Sequence, residues 1–175
     1  MIPISILEVR IIANTGNTRA NSTVKLPRSP LREYFRVDGK RVIVQGLGNV
    51  GYHAAKFLNE KDGCKIKGIV KQDGGLSDVE GLNVEAVRTW IIENGGVSGY
   101  PDARNQENGA AVMEEECDIL ISAALEVVIN LSNVVRIKAP LIIEGANGLS
   151  RWAQMRSFAR KGQSSSPSCI QMSAV

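Results

Sequence analysis

The chain is short of cysteine, of histidine and of long apolar runs, and each shortage narrows what it can be. Its three cysteines, Cys64, Cys117 and Cys169, are odd in number and widely spaced. Such a set reads as reduced thiols of a cytoplasmic or mitochondrial-matrix protein, not as a disulfide framework. No Cys-x-x-Cys pair occurs, so no zinc site is expected. The single histidine, His53, reads as a structural or surface residue. No apolar run reaches the length of about 18 residues that a membrane-spanning helix needs. The opening Met1-Ile2-Pro3-Ile4-Ser5-Ile6-Leu7 is apolar but brief, lacks a basic flank and runs into Glu8. No secretory signal is expected from it.

What is present suits a globular domain. The 175 residues are 43% hydrophobic and 22% charged, enough to bury one core without covalent staples. The net charge of +3 taken alone hints at an acidic partner. Divided by segment, the hint dissolves. Residues 1–40 carry seven basic and three acidic side chains, and 149–175 carry Arg151, Arg156, Arg160 and Lys161 with no acid. The body between them, 41–148, is acidic, with ten basic against fifteen acidic residues. Neither a nucleic-acid nor a membrane partner is expected.

Residues 1–36 show no sustained period, and Pro27 and Pro30 interrupt any helix there. This lead is expected to be irregular and disordered. Order begins at the Asp38-Gly39-Lys40 turn. The β-branched run 41–45 then predicts a buried parallel strand. A helix is predicted over 49–59, with Val50, Ala54, Phe57 and Leu58 on one face and Gly63 as its stop. A second strand follows at 65–70, ending in an Asp73-Gly74-Gly75 turn. A second helix spans 84–93, with Asn83 as N-cap and Gly95-Gly96 as terminator. Residues 94–110 read as a polar loop, 118–121 and 141–143 as strands, and 132–137 as a short helix. This alternation predicts an α/β fold, a Rossmann-like doubly wound parallel sheet over 37–148.

The first strand runs directly into Gly46-Leu47-Gly48-Asn49-Val50-Gly51. That is Gly-x-Gly-x-x-Gly with a strand before it and a helix after it, the context a dinucleotide fingerprint demands. Gly46 permits the tight turn, Gly48 lets a pyrophosphate approach the backbone, and Gly51 lets helix and strand pack closely. The helix N-terminus offers free N–H groups and a positive dipole end to the phosphates. About 20 residues past Gly51 the fingerprint expects an acid that binds the adenosine ribose. Lys71 stands there, with Asp73 two residues on. Two readings stay open: Lys71 favours a 2′-phosphate and hence NADP, or Lys71 faces solvent and Asp73 holds the ribose of NAD.

Three blocks resemble the coenzyme domain of glutamate dehydrogenases, within the Glu/Leu/Phe/Val dehydrogenase family. They are Val44-Gln45-Gly46-Leu47-Gly48-Asn49-Val50-Gly51, Cys117-Asp118-Ile119-Leu120-Ile121-Ser122-Ala123-Ala124 and Ile143-Glu144-Gly145-Ala146-Asn147-Gly148. Gly96-Val97-Ser98-Gly99-Tyr100-Pro101 is similar to a further family segment. The resemblance implies NAD- or NADP-dependent oxidative deamination of L-glutamate to 2-oxoglutarate and ammonia. It implies that Asn49 and Val50 sit at the pyrophosphate, that Ala123 and Ala124 line the nicotinamide side, and that Asn147 bonds near the nicotinamide ribose and the substrate. The chain departs from the family at Ser122, where proline is usual, and at Lys71.

The family's catalytic lysine and aspartate come from a domain preceding the coenzyme domain, and 1–36 matches no such domain. No catalytic residue is therefore assigned. Glutamate and 2-oxoglutarate are expected as partners only together with that other domain, and turnover is not expected from this chain alone. The family's hexamer forms through the other domain, so oligomerisation of this segment is not expected either. Two rival readings remain: a free-standing NAD(P)-binding regulatory module, and a non-functional product of a faulty gene model. The resemblance stops after Gly148. Residues 149–175 are expected to be an irregular, frame-shifted tail, because a one-base slip permits a back-translation that resembles the family's continuation. Sequencing the coding DNA checks this: a slip near codon 149 must restore that continuation, and its absence refutes the expectation.

Overall fold

The computed structural model describes residues 9–15, 18–24, 37–124, 133, 136–144 and 168–171. In chain order the elements are β1 (Val9–Thr15), β2 (Thr18–Val24), β3 (Arg41–Gln45), α1 (Asn49–Glu60), β4 (Lys65–Lys71) and β5 (Gly74–Ser77). They continue with α2 (Val84–Asn94), β6 (Arg104–Gln106), α3 (Gly109–Met113), β7 (Ile119–Ser122), β8 (Leu141–Glu144) and β9 (Ser168–Gln171). Strands β3 to β9 form one sheet in the order β6-β5-β4-β3-β7-β8-β9, and β1 and β2 form a separate pair. Among the described residues no helix is long and apolar enough to cross a membrane.

The central strands are parallel, β4 and β7 flanking β3, then β8 and β9. Their near-continuous apolar sequences follow from burial on both faces. Val42 and Val44 of β3 face a core made with Ala54 and Ala55 of α1 and Val87 and Ile91 of α2. Ile43, between them, faces the opposite core, with Val112 and Met113 of α3, Leu120, Ile137 and Ile142. Side chains alternate across a strand, so one five-residue strand supplies both layers. The pairing of β3 with β4 shifts between Val42 and Ile43, leaving Lys67 as the extra residue. Lys67 is turned to Glu115, 3.0 Å away.

The doubly wound sheet is present, with a difference at one edge. β5 pairs antiparallel with β4, and β6 antiparallel with β5. The turn placed at 73–75 lies at Gln72-Asp73 instead, and Gly74 and Gly75 already belong to β5. The glycines are there for space. A Cβ on Gly75 would lie 2.7 Å from Val112 Cγ2, so α3 seats flush on the strand only because no side chain intervenes. The stretch 94–110 likewise contains β6, whose Arg-Asn-Gln sequence has no β-branched residue to announce a strand. The helix placed at 132–137 lies mostly outside the described residues. Within it, Arg136 N–H donates to Asn133 O at 2.9 Å in a single turn.

The flanks, expected to be irregular over 1–36 and 149–175, contain regular backbone. β1 and β2 pair antiparallel from Val9↔Val24 to Thr15↔Thr18, a register that leaves two residues for the connection. The strands contain Val9, Ile11, Ile12, Thr18 and Thr23, β-branched residues that suit extended backbone. In the tail, β9 pairs with β8 from Leu141↔Ser168 to Glu144↔Gln171. An open strand edge recruits a short segment through backbone groups alone, which composition does not reveal.

Asp118 fastens β3 and β7 at their N-terminal ends. Its Oδ2 accepts from Arg41 N at 2.8 Å and Arg41 Nε at 3.2 Å, while Lys40 Nζ lies 3.7 Å from Oδ1. Partial burial opposes ionisation of this carboxyl, but the Arg41 bonds and the Lys40 charge outweigh it and hold its pKa below the usual value. A depressed folded-state pKa stabilises above the unfolded value and loses that contribution as pH falls through the folded one. Asp118→Asn should lower stability at neutral pH by about 1–2 kcal/mol and weaken the acid sensitivity of unfolding below about pH 4. Urea melts at pH 7 and pH 3 check this.

Candidate functional site

The chain leaves β3 toward β4 in one direction, and β7 lies on the other side of β3. Between the C-terminal ends of β3 and β7 the order therefore reverses, which is where open α/β sheets form a ligand crevice. Three sequence-predicted groups meet there: the glycine turn 46–51, the Ala123-Ala124 turn and the end of β4.

Gly46 has φ +84°, a left-handed conformation that a side chain would strain. Its N–H donates to Val70 O at 2.7 Å, tying the turn to the end of β4. A Cβ on Gly46 would come within 2.9 Å of Ala124 Cβ and 3.1 Å of Ala123 C. A Cβ on Gly51 would overlap Gly46 O and lie 3.3 Å from Ala123 Cβ. The two strand-end turns thus touch through glycine surfaces. Gly48 differs: a Cβ there would meet nothing within 4 Å. The space over Gly48 is open, as a ligand approaching the backbone needs.

Gly48 is the N-cap of α1, no side-chain cap bond is made, and no acid lies in the first turn. Asn49 and Val50 are exposed beside it. A 12-residue helix therefore presents its positive end to the crevice without a side-chain acceptor. Beneath the turn, Ser122 Oγ donates to Gln45 Oε1 at 2.6 Å, and Ala123 N–H to Gln45 O at 2.8 Å. Ser122 and Gln45 are both buried, so this pair joins β3 to β7 directly under the site. Glycine spacing did not signal it.

Lys71 and Asp73 both point toward the segment after α2. Lys71 Nζ donates to Gly95 O at 3.3 Å. Asp73 Oδ2 accepts from Val97 N at 2.7 Å and Ser98 N at 2.9 Å. Asp73 therefore anchors the 97–98 backbone, and its carboxylate crowds Gly96. A third contact was invisible in sequence: Arg88 Nη1 of α2 donates to Leu47 O at 2.7 Å. Asn147 lies outside the described residues; the other nine of the ten residues proposed from sequence lie at or just beyond the C-terminal ends of the central strands β3, β4 and β7.

Residues outside this edge have other roles. His53 packs between rings, with Tyr52 at 5.0 Å and Phe57 at 6.1 Å. Trp90 meets Tyr100 edge-on at 5.8 Å. Burial pushes the thiols of Cys64 and Cys117 up to about 11, so neither is a thiolate at neutral pH.

A family model described as Glutamate/Leucine/Phenylalanine/Valine dehydrogenase matches residues 20–170. The chain is 45% identical over 112 residues to an NADP-specific glutamate dehydrogenase of Saccharolobus shibatae, covering 64% of this chain and 26% of that one. It is 40% identical over 110 residues to a probable glutamate dehydrogenase of Sinorhizobium fredii, covering 63% and 25%. Among solved structures it is similar to the hetero-hexameric glutamate dehydrogenase of Thermus thermophilus in its Leu-bound form. That likeness has a TM-score of 0.58 at 26% identity and covers 78% of this chain and 31% of the other. The chain thus spans roughly a quarter of the length of these curated relatives.

Gly51→Ala should be the most damaging small substitution at this edge, because the obstructing atom is the Gly46 backbone. It is expected to lower stability by about 1–3 kcal/mol, whereas Gly48→Ala, which meets no obstruction, costs at most about 1 kcal/mol through the poorer N-cap. Denaturant unfolding of both variants checks the contrast.

Proposed function

This chain belongs to the glutamate/leucine/phenylalanine/valine dehydrogenase family, and from that premise we propose that residues 37–148 are its coenzyme-binding domain. The observation that carries the proposal is the glycine turn at the strand reversal. Gly46 and Gly51 close it tightly, Gly48 leaves it open, and α1 points an uncapped N-terminus across it. That arrangement fits a dinucleotide pyrophosphate bound by backbone N–H groups. Asn49 and Val50 flank the phosphates in this reading, and Ala123 and Ala124 border the nicotinamide half. Asn147 completes that half by its place in the Glu-Gly-Ala-Asn-Gly block.

The adenosine half falls at the end of β4, because Gly46 N–H is bonded to Val70 O just before Lys71. The Asp73 carboxylate is engaged by two backbone amides, which favours Lys71 over Asp73 as the group facing the ribose. An ammonium there attracts a 2′-phosphate, so NADP is the preferred coenzyme in this reading, with NAD the alternative. The reaction proposed for the whole enzyme is oxidative deamination of L-glutamate to 2-oxoglutarate and ammonia. A bound nicotinamide supplies the hydride acceptor for it. The residues of this chain hold the dinucleotide; binding of the amino acid and proton transfer are assigned to the family's other domain, as is assembly. Free, buried Cys64 and Cys117 fit a reducing compartment, the cytoplasm or the mitochondrial matrix.

Titration of the 175-residue chain with NADH and NADPH, followed by nicotinamide fluorescence or calorimetry, tests the reading. Saturable binding of at least one is expected; no binding at millimolar concentration overturns it. Lys71→Glu should lower the NADPH-to-NADH affinity ratio by roughly tenfold. An unchanged ratio would refute the role given to Lys71.

A further inference from the structure

Arg88 lies on α2, outside the glycine motif and away from the end of β4, yet its guanidinium reaches the motif directly. Nη1 donates to Leu47 O at 2.7 Å. The same guanidinium carbon lies 5.1 Å from the Tyr52 ring centroid of α1. Tyr52 OH donates in turn to Glu85 Oε1 at 2.7 Å, and Lys56 Nζ lies 2.7 Å from that oxygen. Cation, ring, carboxylate and second cation bracket α1 against α2, and Arg88 is where the bracket touches the turn.

The position of that contact matters. Leu47 stands between the two glycines, and the Leu47–Gly48 peptide is flat and trans, so its C=O and the next N–H point in opposite directions. Holding Leu47 O toward α2 turns the Gly48 N–H away from α2. A Cβ built on Gly48 would meet nothing within 4 Å, so a ligand can come close to this residue. A peptide flanked by glycines samples many orientations when nothing holds it, and ordering it on ligand binding costs free energy. The Leu47 side chain, 3% exposed, is already fixed in the core. Arg88 adds a restraint on the rotation of the peptide plane, beside the bonds of Gly46 N–H to Val70 O and of Tyr52 N–H to Gly48 O.

We propose that Arg88 is a positioning residue of the dinucleotide site, which pre-orients the Leu47–Gly48 peptide so that the Gly48 amide is set for the pyrophosphate. The proposal rests on the dinucleotide reading above. It predicts an effect common to NAD and NADP, because both carry the same pyrophosphate, and so separates Arg88 from Lys71, whose effect is confined to the 2′-phosphate.

The test uses the 175-residue chain with Arg88→Met, which keeps the stem but removes donors and charge, and Arg88→Lys, which restores one donor on a flexible stem. Each is titrated with NADH and NADPH, and each is melted. Arg88→Met should weaken both dinucleotides equally, by roughly tenfold, and Arg88→Lys should recover part of the loss, to about threefold below wild type. Affinities within twofold of wild type for Arg88→Met, whatever the melting temperature, overturn the proposal. So does a loss confined to NADPH. Should Arg88→Met not fold, the lysine variant decides: equal weakening of both dinucleotides supports the proposal and wild-type affinity overturns it. A wild-type chain that binds neither dinucleotide overturns the coenzyme-domain reading and this inference with it, whereas binding by wild type with unchanged binding by Arg88→Met overturns the inference alone.

Discussion

The structure turns on one close approach, that of the backbone at Gly51 to the backbone at Gly46. Helix α1 starts where it does because nothing larger than hydrogen separates its first turn from the end of β3. The approach fixes the direction of α1, and that direction puts Ala54 and Ala55 on the sheet. It also brings Ala123 and Ala124 against the glycine turn, so β7 ends beside β3 with no gap. The Gln45–Ser122 bond beneath them locks the same meeting from below. Gly48, Asn49 and Val50 lie in the turn that this contact closes, Ala123 and Ala124 lie against it, and Gly46 N–H bonds to Val70 O beside Lys71.

The centre of the fold was legible in sequence because its causes are local. Strand β3 is a β-branched run followed at once by Gly46, and α2 carries its own signals: Asn83 Oδ1 accepts from Ala86 N at its start, and Gly95 adopts φ +82° at its end. These patterns need no knowledge of what packs on them. The antiparallel edge was not legible for the opposite reason. Gly74 and Gly75 look like turn residues, and their place in β5 is decided by α3 pressing on the strand. Strand β9 was missed because composition describes side chains, while an open sheet edge recruits a segment by backbone pairing; β1 and β2 do carry β-branched residues, but scattered among polar ones without a sustained period.

The candidate site divides in the same way. Gly46, Gly48 and Gly51 follow from the fingerprint and its flanking elements. The behaviour of Lys71 and Asp73 does not, since their partners, Gly95, Val97 and Ser98, lie more than 20 residues away in the chain. Sequence spacing singled out Lys71 and Asp73 at the end of β4 but not the backbone groups each of them engages. Arg88 had no signal at all. Its importance comes from a contact between the second helix and a turn that precedes the first, across 41 positions of sequence.

The short strand β6 has a further consequence, for association. A sheet edge is a template for another chain, and long flat edges invite stacking. Here the edge is three residues long, and Arg104 and Asn105 are exposed on it. The Asn105 side chain folds back on its own loop, donating to Tyr100 O and Ala103 O and accepting from Gly99 N. That edge thus offers little backbone and a charged side chain to an incoming strand. By turning antiparallel and then stopping after three residues, the chain leaves only a short run of ladder on this side of its sheet.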